Sequence, residues 1–189
     1  LHAVSITANK AGVDGGGIRG TGAIVITLED SDISENEAVH GAGISANNGS
    51  TVTVDRSTIT RNISSKRGGG VNIDNGTVFS LNSGSINDNH AETGGGVTAS
   101  LNSTVNMASG EITGNTALTH GGGLRIEQGC RLDMQNGSIS ANQAGSQGGG
   151  VYLWATALLN MTGGALTNNT TAGDGGGIYT ELFVYTNPL

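Results

Sequence analysis

A repeat of 26 or 27 residues runs the length of the chain and constrains its fold more than any other feature. Seven asparagines mark it: Asn9, Asn36, Asn62, Asn89, Asn115, Asn142 and Asn169. Three positions before each stands a branched aliphatic, Ile6, Ile33, Ile59, Ile86, Ile112, Ile139 and Leu166. A glycine cluster keeps the same beat, its last members being Gly17, Gly43, Gly70, Gly96, Gly123, Gly150 and Gly177. A fixed period in this range is the mark of stacked repeats, in which no unit buries a core alone. Such architectures usually display a long surface or build a fibre rather than enclose one reaction site.

The last glycine and the next asparagine are 19 residues apart in all six complete repeats. The other arc, from asparagine to last glycine, is 7 or 8 residues and absorbs the variation. That is how a turn behaves on a rigid scaffold. Within the constant body, short stretches alternate with period two, the signature of a half-buried strand. Val71-Asn72-Ile73 and Val151-Tyr152-Leu153 follow the glycines, and Val52/Val54, Phe79/Leu81 and Leu132/Met134 lie further on. A third such step leads into each asparagine, as in Ser138-Ile139-Ser140.

The expected fold is therefore all-β. It is a single parallel β-helix spanning residues 1–189, with about seven coils and three short strands per coil. Coils paired in parallel repeat every ~4.8 Å, so like stacks on like. An inward asparagine at one corner then bridges its amide to the coils above and below and satisfies turn backbone. Glycine supplies the positive φ or close approach that a sharp corner needs. Both features read as scaffold before ligand site.

Composition narrows the partners. A net charge of −7 argues against nucleic acid and anionic membranes, which want a basic patch. No apolar run approaches the ~20 residues that span a bilayer, so no membrane insertion is expected. Aromatics are 3% of the chain, so the core must be built from Ile, Val, Leu and Ala. One cysteine excludes an internal disulfide framework, and Cys130, in a column of small inward residues, reads as a buried thiol.

The motif Gly-Gly-Gly-[Ile/Val] followed by Ile-x-x-Asn-x-Ala stands as Ile33-Ser-Glu-Asn36-Glu-Ala38, Ile86-Asn-Asp-Asn89-His-Ala91 and Ile139-Ser-Ala-Asn142-Gln-Ala144. It resembles the paired repeats of polymorphic outer-membrane proteins and adhesin-like bacterial surface proteins, and the resemblance covers essentially the whole chain. It implies a right-handed helix and an extracellular or cell-surface setting. Ile stands here where that outer-membrane family commonly has Phe.

The outward column four after each last glycine reads Thr21, Asn47, Asp74, Ser100, Glu127, Trp154, Glu181. Asp74 and Glu127 are two coils apart, ~10 Å along the axis, near the carboxylate separation of inverting glycosidases. No Asp pair or Arg/Lys/His cluster accompanies them in the sequence, which favours isolated surface carboxylates and no catalytic residue. His40 and His120 lie three coils apart, ~14 Å, too far to share a metal. No metal and no cofactor are expected. Tyr152, Trp154 and Tyr179 gather at one end of an aromatic-poor chain and read as an exposed contact surface for a carbohydrate face or another subunit. An ice-binding array would need regular threonine ladders, but the flanking outward pairs are mixed, such as Thr51/Thr53, Val78/Ser80 and Arg131/Asp133.

Leu1 and Val4 open the chain in the middle strand of a coil, and Phe183, Val184 and Tyr185 fall where the same strand of an eighth coil would lie. With no polar cap at either end, these residues are the expected contacts for head-to-tail self-association or for further repeats of a longer chain. The functional expectation is a non-enzymatic extracellular structural or adhesive solenoid, self-associating end to end. The alternatives are a carbohydrate-binding or polysaccharide-cleaving β-helix using Asp74, Glu127, Tyr152 and Trp154, and an ice-binding solenoid.

Overall fold

The computed structural model describes residues 1–181. One coil illustrates the construction. Ser57–Thr60 runs to the asparagine corner, Ile63–Arg67 follows it, Val71–Ile73 follows the glycines, and Val78–Leu81 completes the turn. Each strand pairs in parallel with its counterparts in the coils above and below, in register: Val71 with Ile44 and Val97, Phe79 with Val52 and Val105, Ile86 with Ile59 and Ile112. The strands form two seven-stranded and two six-stranded sheets along one axis. Among the described residues there is no helix long and apolar enough to cross a membrane.

Alternation puts every second side chain inside. Ile59, Val71, Ile73, Phe79 and Leu81 of one coil are fully buried and stack on Ile86, Val97, Ala99, Val105 and Met107 of the next. The result is a continuous column of aliphatic layers, each contributing burial at roughly 25 cal/mol per Å² of apolar surface. Small side chains fill the remaining inward column. Ser50, Thr77 and Ser103 each donate to the carbonyl three residues back, at 2.6, 2.7 and 2.7 Å, and Cys130 takes the equivalent place.

The coil has four strands where three were expected. The arc between asparagine and glycines carries its own sheet, from two residues (His90–Ala91) to five (Ile63–Arg67). Stacked arcs bring their backbone groups within reach of one another, and pairing them avoids orphaned donors and acceptors. Two residues are too few to show alternation, and the inward residue of the arc is small, as with Ser64, Ala91 and Ala117. The 7-against-8 difference in arc length reappears as a register shift between Ala38↔Ser64 and His40↔Arg67.

The asparagine ladder is the corner's internal scaffold. Asn62 Nδ2 donates to Asn89 Oδ1 in the coil above (2.9 Å) and to the Ile33 carbonyl in the coil below (3.0 Å). The Asn62 backbone N–H donates to the same Asn89 oxygen at 3.0 Å. The pattern recurs through Asn36, Asn89, Asn115 and Asn142. Every asparagine-to-asparagine bond points the same way along the axis. The residue before each asparagine is left-handed, including Ala8, Glu35, Arg61, Asp88, Ala141 and Asn168, and only Gly114 is a glycine. At the glycine corner the first member, Gly68, has φ +61, while a Cβ on the third, Gly70, would sit 2.9 Å from the Gly96 carbonyl and 3.1 Å from Asn89 Nδ2.

Candidate functional site

The glycine corner bends the wall inward and creates a groove parallel to the axis. Outward residues of the strands that follow the glycines are buried rather than solvated: Ser45, Asn72, Thr98 and Tyr152 are 2, 8, 0 and 4% exposed. Their cover is the column that enters the corner, Asp14, His40, Arg67, Thr93, His120 and Gln147, itself paired coil to coil. Thr98 Oγ1 lies 3.3 Å from the Thr93 carbonyl and donates to it, and the His120 and Tyr152 rings are 4.8 Å apart. Two hollows open along this line. One of about 260 Å³ is lined by Asp14, Arg19, His40, Asn47, Asn72, Asp74 and Ser100. The other, about 600 Å³, is lined by His40, Lys66, Arg67, Glu92, Thr93 and Arg125. They share His40 and Arg67 and so form one cleft.

The cleft concentrates unmet hydrogen-bonding capacity. Among the described residues, seven buried side-chain atoms have no hydrogen-bond partner in the protein. Five belong to residues that line it, His40 Nδ1, Asn47 Oδ1, Asn72 Oδ1, Thr93 Oγ1 and Arg125 Nε, and a sixth, Glu127 Oε1, sits against Arg67 and Arg125. Buried polar atoms are normally satisfied, so a cluster of exceptions beside a hollow marks a place where a small side-chain shift would admit a polar ligand or water. Glu127 Oε1 lies 3.3 Å from Arg125 Nε and 3.6 Å from Arg67 Nη1. These are charge contacts whose geometry leaves both the oxygen and Arg125 Nε without a hydrogen bond. Asp74 accepts from the Asn75 backbone N–H at 2.8 Å and from Ser100 Oγ at 3.3 Å.

Aromatic side chains close one end. Tyr152 and Tyr179 stack at 5.4 Å between centroids, and the Arg125 guanidinium lies 5.5 Å from the Tyr152 ring and 5.4 Å from the Trp154 ring. The Tyr152 hydroxyl donates to Glu181 Oε1 at 2.7 Å, and burial followed by that bond pushes the phenol above its ordinary range. Burial, then the charge of Arg125, holds His120 below the usual histidine range. Burial likewise raises the Cys130 thiol, which lies inside the core.

Two sequence expectations change here. Tyr152 is not an exposed contact residue, because the concave corner and the flanking His120 and Tyr179 cover it; Trp154, at 37% exposed, is the member that solvent reaches. Asp74 and Glu127 are not isolated on a solvated face, because arginines from the neighbouring column and strand surround Glu127. Arg67, Thr93 and Arg125 belong to no motif the sequence displays, and His40 enters the sequence reading only as a metal candidate. The available signal was the column before the first glycine, where Asp14, His40, Arg67, His120 and Asp174 recur.

The remaining expected positions lie elsewhere. Asn9, Asn36, Asn62, Asn89, Asn115, Asn142 and Asn169 form the ladder and do not line the cleft. At the first coil the Leu1 amino group donates to the Thr27 carbonyl at 2.7 Å and the Val4 N–H to Ser31 Oγ at 3.2 Å. Phe183, Val184 and Tyr185 fall outside the described residues. Near Leu1, His2, Glu29 and Asp30 bring ligand atoms within 4.8 Å of one another. That cluster is largely exposed, Arg56 pairs with both carboxylates, and its hydrogen bond holds Asp30 below the usual carboxylate range.

Stacked coils with an aliphatic interior, an asparagine ladder and a lateral polar cleft define a parallel β-solenoid. The family model described as a right handed beta helix region matches residues 15–182, and the chain belongs to that family. No curated protein and no solved structure shows significant similarity to the chain.

Proposed function

We propose that this solenoid is a non-enzymatic binding module that holds an extended glycan along its cleft, in an adhesive or structural role outside the cell. The observation that carries the reading is the cluster of unpartnered polar atoms on five residues that line the cleft, with Glu127 Oε1 behind Arg67 and Arg125. A glycan offers a hydroxyl donor and acceptor at nearly every carbon, which suits such a cluster, and Trp154 beside Arg125 offers a sugar face a partly exposed ring. The likeness of the repeats to polymorphic outer-membrane and adhesin-like proteins supports the surface setting. Lengthwise growth, by further repeats or a second copy stacked head to tail, is part of the same proposal. Its support is the ladder's polarity: a coil added beyond Asn169 would receive its amide, as Asn36 receives that of Asn9.

The test is calorimetry of the purified chain against soluble oligosaccharides, with Asn72→Ala and Trp154→Ala as variants. Binding that weakens about tenfold in each variant supports the cleft, since one or two hydrogen bonds or a stacked ring contribute on that scale. Affinity indifferent to both variants would remove it. Polysaccharide cleavage is the second reading, favoured by Asp74 and Glu127 standing in one outward column of the groove wall. Turnover abolished by Asp74→Asn or Glu127→Gln would establish that reading in place of the first.

A further inference from the structure

We propose that Asn136 is a site of spontaneous deamidation, and that the fold shields the chain's other two Asn-Gly pairs from the same reaction. The inference stands apart from the cleft and from any ligand held there. Three Asn-Gly pairs occur in the sequence: Asn48-Gly49, Asn75-Gly76 and Asn136-Gly137. In such a pair the glycine amide nitrogen, unscreened by a Cβ, can attack the side-chain carbonyl carbon of the asparagine. The nitrogen gives its proton to solvent hydroxide and bonds to Cγ. The Cγ–Nδ2 bond breaks, and Nδ2 takes a proton from water as it leaves as ammonia. Water then opens the five-membered succinimide at either carbonyl, giving aspartate or isoaspartate. The sum is one water consumed and one ammonia released, with no change of oxidation state.

All three asparagines are exposed, so access of water does not separate them. Hydrogen bonding does. The Gly49 N–H donates to the Asn75 carbonyl and the Gly76 N–H to the Leu101 carbonyl, each at 2.9 Å, so both attacking nitrogens are engaged. The side-chain amides are engaged as well: Asn75 Nδ2 donates to Asn48 Oδ1 at 2.7 Å, and Asn48 Nδ2 to Thr21 Oγ1 at 3.3 Å. This outer ladder runs along the turns that follow Ile44–Asn47 and Val71–Ile73.

The turn after Arg131–Met134 is built differently. The Gly137 N–H has no backbone acceptor among the described residues. Ser109 and Gly163 occupy the place of Asn136 in the coils below and above, so no side-chain amide stacks on it from either side. Glycine is also required at 137, where φ is +92 and a Cβ would sit 2.3 Å from the Gly110 carbonyl. The packing that demands glycine thus keeps an unscreened, unbonded nitrogen beside an asparagine that no ladder holds. A hollow of about 370 Å³ borders this turn, and Glu111 already lines it. Deamidation adds a second carboxylate there, and the loss of ammonia makes the change one-way.

The test is prolonged incubation of the whole folded chain in warm, mildly alkaline buffer, followed by peptide mass spectrometry that separates amide, aspartate and isoaspartate at each site. Asn136 is expected to convert about ten times faster than Asn48 or Asn75, the scale of the one or two hydrogen bonds that those sites must break first. In urea the three rates should draw together, because the reacting dipeptide is the same. Matching rates at the three sites in the folded chain overturn the assignment. A lead of Asn136 that persists undiminished in urea overturns it too, by tracing the preference to neighbouring sequence and not to the fold.

Discussion

Each ladder asparagine answers several backbone and side-chain groups at once, so the loss of one leaves several orphans. Asn89 accepts from the Asn62 N–H and Nδ2 and donates to Asn115 Oδ1 and the Ile59 carbonyl. Asn89→Ala strips partners from buried groups with no water to replace them, and a destabilisation on the order of 4 kcal/mol is expected from urea unfolding. Asn89→Asp is the sharper test. It keeps the shape but sets an oxygen against Asn115 Oδ1 and the Ile59 carbonyl, so it should be at least as damaging at pH 7. A mild Asp variant would mean that the ladder matters for its shape and not its donors. Tyr152 gives the pH counterpart. Its folded-state phenol is raised, so an unfolded chain releases that proton near pH ~10 while the folded chain keeps it. Stability is therefore lost as pH rises above that value. Melting temperature measured between pH 9 and about 11.5 should fall more steeply for the native chain than for Tyr152→Phe.

Corners decide how each strand is placed, and they differ in how openly the sequence declares them. The Gly-Gly-Gly corner was legible because its requirement is met by one residue type. The three glycines are nevertheless not equivalent. Gly68 needs a left-handed backbone, and Gly70 would drive a Cβ into the ladder, whereas the middle position is already an alanine in one coil, Ala42, fully buried. Gly69→Ala would meet the Gly95 carbonyl at 2.4 Å unless the corner shifts, and Ala42 demonstrates that such a corner can form. Thermal melts are expected to rank Gly70→Ala as clearly more damaging than Gly69→Ala; equal losses would show that the coil around Ala42 is specially adjusted. The asparagine corner hid its strain, since Glu, Arg, Asp and Ala occupy a left-handed position that the ladder enforces. Ala141→Gly should relieve it and stabilise the chain by up to about 1 kcal/mol, Gly114 being the existing precedent. The fourth sheet stayed hidden for a different reason. Its strands are as short as two residues and are held by pairing between coils rather than by any pattern within one.

At the scale of the whole solenoid, a periodic sequence specifies its interior more plainly than its surface. Inward columns repeat the same chemistry, so one alignment exposes them. The cleft juxtaposes two different columns, one before and one after the glycines, whose outward residues vary from coil to coil; only the inward bend of the corner makes them neighbours. The same one-dimensional build sets how stability is distributed. A coil packs only against the coil above and the coil below, so stability is shared between neighbouring layers. Burial follows: Ile59, Ile86 and Ile112 are fully buried, while Ile6 and Leu166 in the same column are only partly so. Ile86→Ala opens a cavity between two packed layers and should destabilise the chain by roughly 4 kcal/mol, whereas Leu166→Ala should take about half as much, because part of its surface already meets solvent. Amide exchange on the folded chain gives an independent reading of the same gradient. Protection should peak in the strands around Ile59 to Ile112 and decline toward both ends. Uniform protection along the axis would mean that the coils unfold as one unit, with coupling between layers strong enough to override the difference in burial between inner and outer coils.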